Sequence, residues 1–425
     1  MAAKVLIART LEEAAAGLAA NTLLELCLPG TLLGPDGAAA LAAAIEQYPV
    51  LAKLDLSGDF HDFEFDSEGI GDDGCAQIAA SLGGCRGLST LRLSGNGIRD
   101  AGAAHVAALL SNHTLRLKVM DLNGNYIGVA GAIALKPTLM QSHGLRVVDF
   151  SYNELGPEGV TAVVEGLSKN KSVETICLAG NNIGDVGAAA IASAFRQHLS
   201  VTTLRLQDNS IGSVGTLAIA NMLTQEHDGA GITALNLDQN PIGNTGMDVL
   251  VPALTSTSCR LQTLGLSKCR INVANLVLVL SDNRTLTSLN VSGNSLEPHT
   301  ITSIADALEE NTVLTHLVLP THWNIDRGKV LQQIGAVLER NKPLLVLIAH
   351  WELQGEGGIL FRLSSLAGNE VAVQPARRWD TLPDLQRILR HQFKYVAQHR
   401  LRLIRPDGLP LESRGGTPLE ELLGL

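Results

Sequence analysis

The sequence lacks the features that mark a membrane protein or a nucleic-acid-binding protein. No stretch approaches the roughly 18 consecutive apolar residues of a membrane-spanning helix. The apolar run near the start is also too short for a secretory signal. Basic residues number 32 against 42 acidic ones, and this negative balance disfavours contact with a phosphate backbone. We therefore expect neither a membrane nor a nucleic acid as partner.

Cysteine is scarce and its spacing is uninformative for metal binding. No Cys-x-x-Cys pair occurs, and no histidine lies at a spacing that would complete a zinc site. A disulfide framework at this density would be unusual, so we expect reduced thiols and a cytoplasmic protein, with nuclear, cytoskeletal or flagellar association left open. Two cysteines fall in strand positions that we expect to be exposed, Cys27 and Cys177. The six residues are Cys27, Cys75, Cys85, Cys177, Cys259 and Cys269.

Sequence motifs of common enzymes are also missing. The chain contains no phosphate-binding Gly-x-x-x-x-Gly-Lys-Ser/Thr loop, no His-Glu-x-x-His and no Gly-x-Ser-x-Gly. The 12 histidines are dispersed, and most of the 42 glycines belong to a repeated turn. We therefore predict no catalytic residue, no metal and no cofactor, and expect that the protein is not an enzyme.

What the chain does contain is an internal repeat. Eleven times it returns to Leu-x-x-Leu-x-Leu-x-x-Asn-x-Ile-Gly, followed by a second glycine and an alanine-rich stretch. Five of the ten intervals are 28 residues long, and such a steady period indicates a stack of similar units. The first apolar positions are Leu23, Leu51, Leu88, Leu117, Leu145, Val173, Val201, Ile232, Leu261, Leu286 and Leu314.

Each unit predicts one strand followed by an asparagine turn. In the sixth unit, Ile176 and Leu178 alternate with polar neighbours as in a half-buried strand, and Asn181 follows. A carboxamide both donates and accepts, so stacked asparagines can satisfy main-chain groups of successive turns. The same position holds Asn96, Asn125, Asn153, Asn209, Asn240 and Asn294, with Cys269, Thr31 and His322 in less regular units.

A helix is predicted after each turn. In the sixth unit Asp185 is positioned to cap it, and Ile191 and Phe195 lie four residues apart on one face. Strands are then expected to line one side of the stack and helices the other. Corresponding helical stretches occupy residues 102–110, 131–140, 159–167, 215–223 and 301–308.

This combination of asparagine turns, paired glycines and a 28-residue period resembles leucine-rich repeats of the ribonuclease-inhibitor class over about residues 20–345. The resemblance implies an α/β horseshoe solenoid, with parallel strands inside and helices outside, that binds other proteins. Members of the class include ribonuclease inhibitor, the Ran GTPase-activating protein, NOD-like receptors and many flagellar and cytoskeletal proteins. The fold does not choose among these functions.

The inner strand positions form the predicted binding surface. One position per unit contributes to a single row: Cys27, Asp55, Arg92, Asp121, Asp149, Cys177, Arg205, Asn236, Gly265, Asn290 and Val318. Asp55, Asp121, Asp149 and the nearby Asp238 make it mildly acidic, so a protein with a basic surface is its natural complement. Tyr152 is its only aromatic residue. Alternatively, these residues are simply solvated.

The second unit carries an acidic and aromatic insertion that accounts for its 37-residue interval. Residues 59–68 hold five acids and Phe60, Phe63 and Phe65, three of the seven phenylalanines in the chain. Insertions in repeat proteins often emerge on the binding face. We predict a partner contact here; the alternative is that the phenylalanines pack on the edge of the stack.

The repeat pattern ends near residue 354. Residues 356–425 contain 10 basic and 8 acidic residues, against 22 and 34 in residues 1–355. We expect Leu344–Ile348 to close the last repeat. The predicted domains are an N-terminal strand and helix at 1–22, about eleven repeats at 23–353, a linker at 354–358 and an α+β domain at 359–425.

The last domain is predicted as strand, strand, helix and strand, at 359–366, 370–373, 382–393 and 400–404, with a turn at Asp407–Gly408. Three local features resemble ubiquitin-like folds: the first hairpin, the segment Gln398-His-Arg-Leu-Arg-Leu403, and the segment Gly416-Thr-Pro-Leu419-Glu-Glu-Leu-Leu423. A plain α+β cap would look alike. Arg402 and the closing Gly424-Leu425 depart from ubiquitin. These departures argue against conjugation and receptor binding, and favour an adaptor or a shield for the solenoid.

Two function classes follow from the sequence. The leading one is a non-enzymatic scaffold that binds a protein on the inner strand surface. The alternative is a GTPase-activating protein similar to the Ran activator, which would assist residues of the GTPase itself. No asparagine or arginine is singled out as catalytic, and a GTP hydrolysis assay would separate the two. The sequence leaves the oligomeric state undetermined.

Overall fold

The chain forms two compact units, Met1–Asp326 and Arg327–Leu425. The computed structural model describes residues 4–19, 23–28, 33–58, 69–112, 115–196, 198–224, 231–297, 299–320, 328–341, 344–354, 358–365, 370–377 and 400–404.

The first unit alternates strands and helices. Its strands are β1 (Lys4–Ile7), β2 (Leu23–Cys27), β3 (Lys53–Asp55), β4 (Thr90–Arg92), β5 (Val119–Asp121), β6 (Val147–Asp149), β7 (Thr175–Cys177), β8 (Thr203–Arg205), β9 (Ala234–Asn236), β10 (Thr263–Gly265), β11 (Ser288–Asn290) and β12 (His316–Val318). Its helices are α1 (Leu11–Ala19), α2 (Gly34–Gln47), α3 (Gly71–Leu82), α4 (Asp100–Leu110), α5 (Val129–Gln141), α6 (Gly156–Leu167), α7 (Gly184–Phe195), α8 (Ser213–Leu223), α9 (Gly243–Thr255), α10 (Val277–Asp282) and α11 (Thr300–Glu309).

All twelve strands lie in one sheet in chain order, and every neighbouring pair is parallel. The predicted strand of each of the eleven repeats is present, and β1 and α1 supply the strand and helix expected before them. The ninth unit, with its 25-residue interval, has only a 3₁₀ turn at Val273–Leu276 and the short α10. The solenoid of inner strands and outer helices is confirmed.

Apolar side chains from strand and helix meet in the layer between sheet and helices. In the sixth unit Ile176, Leu178 and Ile191 are fully buried, and Phe195 is nearly so. Burial of one such side chain contributes about 1.5–3 kcal/mol, and the same positions recur in unit after unit. The core therefore runs the length of the stack.

The predicted asparagine ladder is present. The Asn181 amide donates to the carbonyls of Phe150 (2.8 Å) and Leu178 (3.2 Å), so it bonds its own turn and that of the preceding unit. Its Oδ1 accepts from the Leu155 N–H at 3.3 Å, and its own N–H donates to Asn209 Oδ1 at 2.8 Å. Equivalent bonds are made by Asn96, Asn125, Asn153, Asn209, Asn240 and Asn294.

Cysteine replaces asparagine in the ninth turn. The Cys269 thiol donates to the Leu237 carbonyl of the preceding unit at 3.2 Å, and the Cys269 N–H donates to Asn294 Oδ1. The thiol thus keeps the contact between units with a weaker donor. Thr31 and His322, the predicted terminal members of the row, lie outside the described residues.

A second ladder, which the sequence analysis missed, lies where each helix returns to the next strand. Asn170 donates to the Leu139 carbonyl of the preceding unit at 2.9 Å, and its Oδ1 accepts from the Val173 N–H. His198 takes this role in the next unit: its Nε2 contacts the Asn170 carbonyl at 2.6 Å, and its Nδ1 accepts from the Val201 N–H. Asn283 and Asn311 make the same contacts further along.

The predicted cap made by Asp185 was assigned to the wrong helix. Helix α7 has no side-chain cap; instead Asp185 Oδ1 accepts from the N–H groups of Gly212 (2.7 Å) and Gly215 (2.9 Å) at the start of α8. Asp72 and Asp100 bond the starts of α4 and α5 in the same way. The second glycine of the repeat allows this approach, because a Cβ at Gly215 would lie 2.7 Å from Asp185 Oδ1.

All six cysteines are buried as free thiols. The expectation that Cys27 and Cys177 are exposed was wrong. Cys177 is only 3% exposed because its small side chain lies in register between the larger Asp149 and Arg205 on neighbouring strands.

The second unit contains α12 (Gly328–Asn341), β13 (Leu344–Gln354), β14 (Gly358–Ser365), β15 (Glu370–Arg377) and β16 (Arg400–Ile404). These strands form a separate sheet of order β15-β14-β13-β16, in which β13 is antiparallel to β14 and parallel to β16. The expectation that Leu344–Ile348 closes the repeats was therefore wrong: these residues pair with β14 and β16 instead of β12.

The predicted hairpin at 359–366 and 370–373 corresponds to β14 and β15, which are antiparallel, and the strand at 400–404 is β16. The predicted helix 382–393 and the turn at Asp407–Gly408 lie outside the described residues. Among the residues that are described, no helix is both long and apolar enough to cross a membrane.

We predict that Asn181→Ala lowers the free energy of unfolding by roughly 2–4 kcal/mol, since it leaves buried groups of two units without partners. Urea denaturation would measure the change. Asn182→Gly is the control: Asn182 is exposed and has a φ of 51°, which glycine accepts readily, so little change is expected. Equal effects of the two substitutions would show that the ladder contributes nothing.

His198 should make the stack sensitive to acid. Burial lowers the pKa of His198 below its ordinary value of 6.5 and outweighs the hydrogen bonds to the Asn170 and Leu167 carbonyls. The unfolded chain then takes up this proton more readily than the folded one, so the free energy of unfolding falls as the pH drops below 6.5.

We expect His198→Asn to reduce this loss, because asparagine makes the same contacts at Asn170 without titrating. Urea unfolding at about pH 7.5 and about pH 5.5 would measure it. His105→Asn, at an exposed helical site, should leave the pH dependence of the parent unchanged. Identical pH dependence in all three proteins would refute the assignment.

Candidate protein-binding surface

The face of the sheet turned away from the helices, here called the open face, carries the predicted row of side chains. The register pairs Cys27 with Asp55, Asp55 with Arg92, and so on, strand by strand, up to the pairing of Asn290 with Val318. Neighbouring strands lie about 4.8 Å apart, so successive positions of this row lie side by side. The structure brings together Asp55, Arg92, Asp121, Asp149, Arg205 and Asn236 as predicted.

Near the start of the row, the negative charge of Asp55 is balanced by the positive charge of Arg92. Arg92 donates from Nη1 to Asp55 Oδ2 at 3.1 Å, and the Ser57 hydroxyl donates to Asp55 Oδ1 at 2.7 Å. Burial by itself would raise the pKa of Asp55, but these hydrogen bonds outweigh it and hold that pKa below its ordinary value. Asp55 is therefore a satisfied carboxylate with little left to offer a partner.

The next two carboxylates have no ion pair of their own. Among the described residues, no basic side chain lies within 4 Å of Asp121 or Asp149. Burial raises the pKa of Asp121, the Asn123 N–H opposes this by donating to its Oδ1, and the negative charge of Asp149 adds to the rise, with a smaller opposing effect from the positive charge of Arg92 on the neighbouring strand. We call Asp121 and Asp149 the acidic pair; two like charges on adjacent strands repel each other and would be relieved by an external cation.

Beyond the acidic pair, the row continues with the buried Cys177 and then with polar side chains. Burial, followed by the negative charge of Asp149, raises the pKa of the Cys177 thiol to about 12, so it stays protonated. Asp238 accepts from the Ser267 N–H at 2.6 Å, and burial raises its pKa. Arg205 is exposed, in register between Cys177 and Asn236.

Tyr152 lies at the edge of the open face in a strained conformation. Its φ is 53°, in the left-handed region that a bulky residue adopts only at a cost of order 1–3 kcal/mol. Its ring packs over Gly180, where any Cβ would collide with it, and the residue remains 50% exposed. The sequence identified Tyr152 as the aromatic of this face but gave no sign of the strain. Other residues with left-handed φ just before the turn asparagine or cysteine are Asp208, Gln239 and Lys268.

Two buried acceptors on the open face have no hydrogen-bond partner: Asn123 Oδ1 and Gln207 Oε1. They lie two residues after Asp121 and Arg205, so strand alternation places them on the same face. Apart from these, only Thr300 Oγ1 has this property among the described side chains. An unpaired buried acceptor costs free energy.

The insertion at residues 59–68 lies outside the described residues, and with it Phe60, Phe63 and Phe65. Their role as a partner contact stays a prediction. Within the described chain no three His, Cys, Asp or Glu side chains are grouped to hold a metal ion. What the open face offers is charge, one aromatic side chain and hydrogen-bond acceptors.

Comparison with known proteins agrees with the fold. The sequence profile of the family described as Leucine Rich repeat matches residues 84–107, 141–164, 169–192, 197–220, 232–251 and 282–298. The crystal structure of the Rad7 and Elc1 complex in yeast is similar with a TM-score of 0.50 and 15% identity, covering 74% of this chain and 73% of that one.

Curated relatives match over short segments. Mouse Protein NLRC5 is 37% identical over 134 residues, which is 28% of this chain and 7% of that protein. Mouse NACHT, LRR and PYD domains-containing protein 12 is 27% identical over 146 residues, 34% of this chain and 14% of the relative. Human Leiomodin-1 is 36% identical over 80 residues, 19% and 13% respectively. This chain therefore matches only a small part of each.

Six profile matches within the stack of strand-and-helix units, together with the parallel sheet and its asparagine ladder, show that the first unit has the fold of a leucine-rich repeat solenoid.

Proposed function

We propose that the protein is a non-enzymatic scaffold whose open face binds a partner protein with a basic surface. The acidic pair carries this proposal. Asp121 and Asp149 face outward in register, without a basic neighbour within 4 Å among the described residues. An Arg or Lys side chain from a partner would relieve their repulsion and satisfy both carboxylates.

The position of Tyr152 supports the proposal that the open face binds a partner. The left-handed φ of Tyr152 belongs to the repeat turn, since Asp208, Gln239 and Lys268 share it, so the support comes from the side chain itself. A tyrosine whose ring is fixed over Gly180 offers contact area with little rotamer entropy left to lose, which suits the centre of a protein interface.

The class of repeat and the cell compartment are further parts of the proposal. The 28-residue period and full helices, such as the 12-residue α7, support the ribonuclease-inhibitor class. Six buried free thiols support a reducing compartment, and we propose the cytoplasm. For the second unit, the ubiquitin-like assignment stays a prediction, with a role as an adaptor or shield.

Asp121→Asn combined with Asp149→Asn should weaken binding to a basic partner about tenfold, mostly by slowing association, and should reduce its salt dependence. Asparagine keeps the acceptor that bonds the N–H groups of Asn123 and Ser151, so the turns should stay intact. Surface plasmon resonance at two salt concentrations would measure both effects.

The matched control is Asp248→Asn with Asp306→Asn, which removes the same charge from exposed positions on α9 and α11. Affinity should stay within about twofold of the parent there. If both double variants weaken binding alike, net charge alone is responsible and the acidic pair is not the binding site.

The acidic pair should also lower the stability of the fold. Because the pKa of Asp121 is raised on folding, its charged form is disfavoured at neutral pH, where the full penalty applies. Asp121→Asn should therefore leave the melting temperature at neutral pH unchanged or higher while binding falls. A clear drop in melting temperature would indicate a structural role instead.

A further inference from the structure

A groove of about 1050 Å³ opens between the C-terminal ends of α6 and α7. It lies at the helix-to-strand returns, away from the open face. Its apolar lining includes Val164 from α6 and Ala190 and Ala194 from α7. Leu199, which is 61% exposed, adds an apolar side chain in the second return.

Three cations line this groove: Lys169, Lys171 and Arg196. All three are exposed, and none has an ion pair within 4 Å among the described residues. The single carboxylate of the lining, Glu165, is paired with Lys136. An excess of positive charge is unusual here, because residues 1–355 hold 22 basic against 34 acidic residues.

Stability of the helices does not account for all of these cations. Arg196 directly follows α7, where a positive charge interacts favourably with the helix dipole. Lys171 lies four residues beyond the end of α6, and that effect falls off within the last turn. His198 adds no charge at neutral pH, because burial lowers its pKa and outweighs the opposing hydrogen bond of its ring to the Asn170 carbonyl.

We propose that this groove binds an acidic peptide segment of a partner protein, one in which carboxylates alternate with apolar side chains. The apolar residues would lie on Ala190, Ala194 and the exposed Leu199, and the carboxylates would reach the three cations. Charge complementarity selects an acidic segment over a basic one. The groove is also too large to be filled by a single phosphate group.

Fluorescence anisotropy of a short labelled peptide that alternates glutamate with leucine would test this on the full chain. Lys171→Glu and Arg196→Glu should each weaken binding about tenfold, and added salt should weaken binding to the parent. Arg86→Glu is the matched control. Arg86 is exposed, lies two residues before Leu88 as Lys171 does before Val173, and is not part of the groove, so binding should stay unchanged.

A second variant tests the apolar floor without changing charge. Ala194→Leu should fill the groove and weaken binding, with thermal melting used to show that the fold is retained. Equal binding by the parent, Lys171→Glu and Arg86→Glu would overturn the proposal. So would unchanged binding of a peptide with serine in place of leucine, or displacement by low concentrations of pyrophosphate, since either would indicate a site for anionic charge alone.

This site is independent of the open face. Asp121→Asn with Asp149→Asn should leave the acidic peptide's affinity unchanged, because the acidic pair is not part of the groove. Loss of peptide binding in that double variant would contradict the separate location.

Discussion

The stack depends on polar side chains that bond main-chain groups of the neighbouring unit. The Asn181 side chain donates to the carbonyl of Phe150 in the unit before it and accepts from the Leu155 N–H. In the next unit, Asn209 Oδ1 accepts from the Asn181 N–H. Apolar burial supplies most of the stabilisation, but it is not directional. The ladders fix the angle and register between units, and this register places one open-face side chain directly beside the next.

Three sets of bonds between units act at three places along each repeat. Asn181 acts at the turn after the strand, Asp185 at the start of the next helix, and Asn170 or His198 at the return to the strand. Every contact joins a unit to its neighbour, so stability is built from nearest-neighbour terms. The open-face side chains make no hydrogen bond of these three sets, and a carboxylate such as Asp121 can be kept at some cost.

Much of this architecture could be predicted from the sequence, because period and residue type repeat together. The Asn181 ladder was predictable since a carboxamide at every turn has few other uses. The return ladder was missed because Asn170 and His198 differ in residue type. The cap of Asp185 was misassigned because one unit, read by itself, cannot show that a side chain bonds the next helix.

The candidate site was predictable in position but not in energetics. Strand alternation placed Asp121, Asp149 and Tyr152 on one face, whereas the burial of Cys177 depends on the side chains of neighbouring strands. Leu344–Ile348 was assigned to the wrong sheet, because an apolar run predicts a strand but does not show which of the two sheets contains it.

Site-specific photo-crosslinking tests the central claim most directly. A photoreactive residue would replace either Thr175 on the open face or Ala189, which is exposed on the helix of the same unit. The account predicts that a partner protein is crosslinked from position 175 and much less from position 189, and that this adduct is lost when Asp121 and Asp149 are neutralised. Adducts formed only from position 189, or adducts from position 175 that survive the loss of both carboxylates, would contradict it.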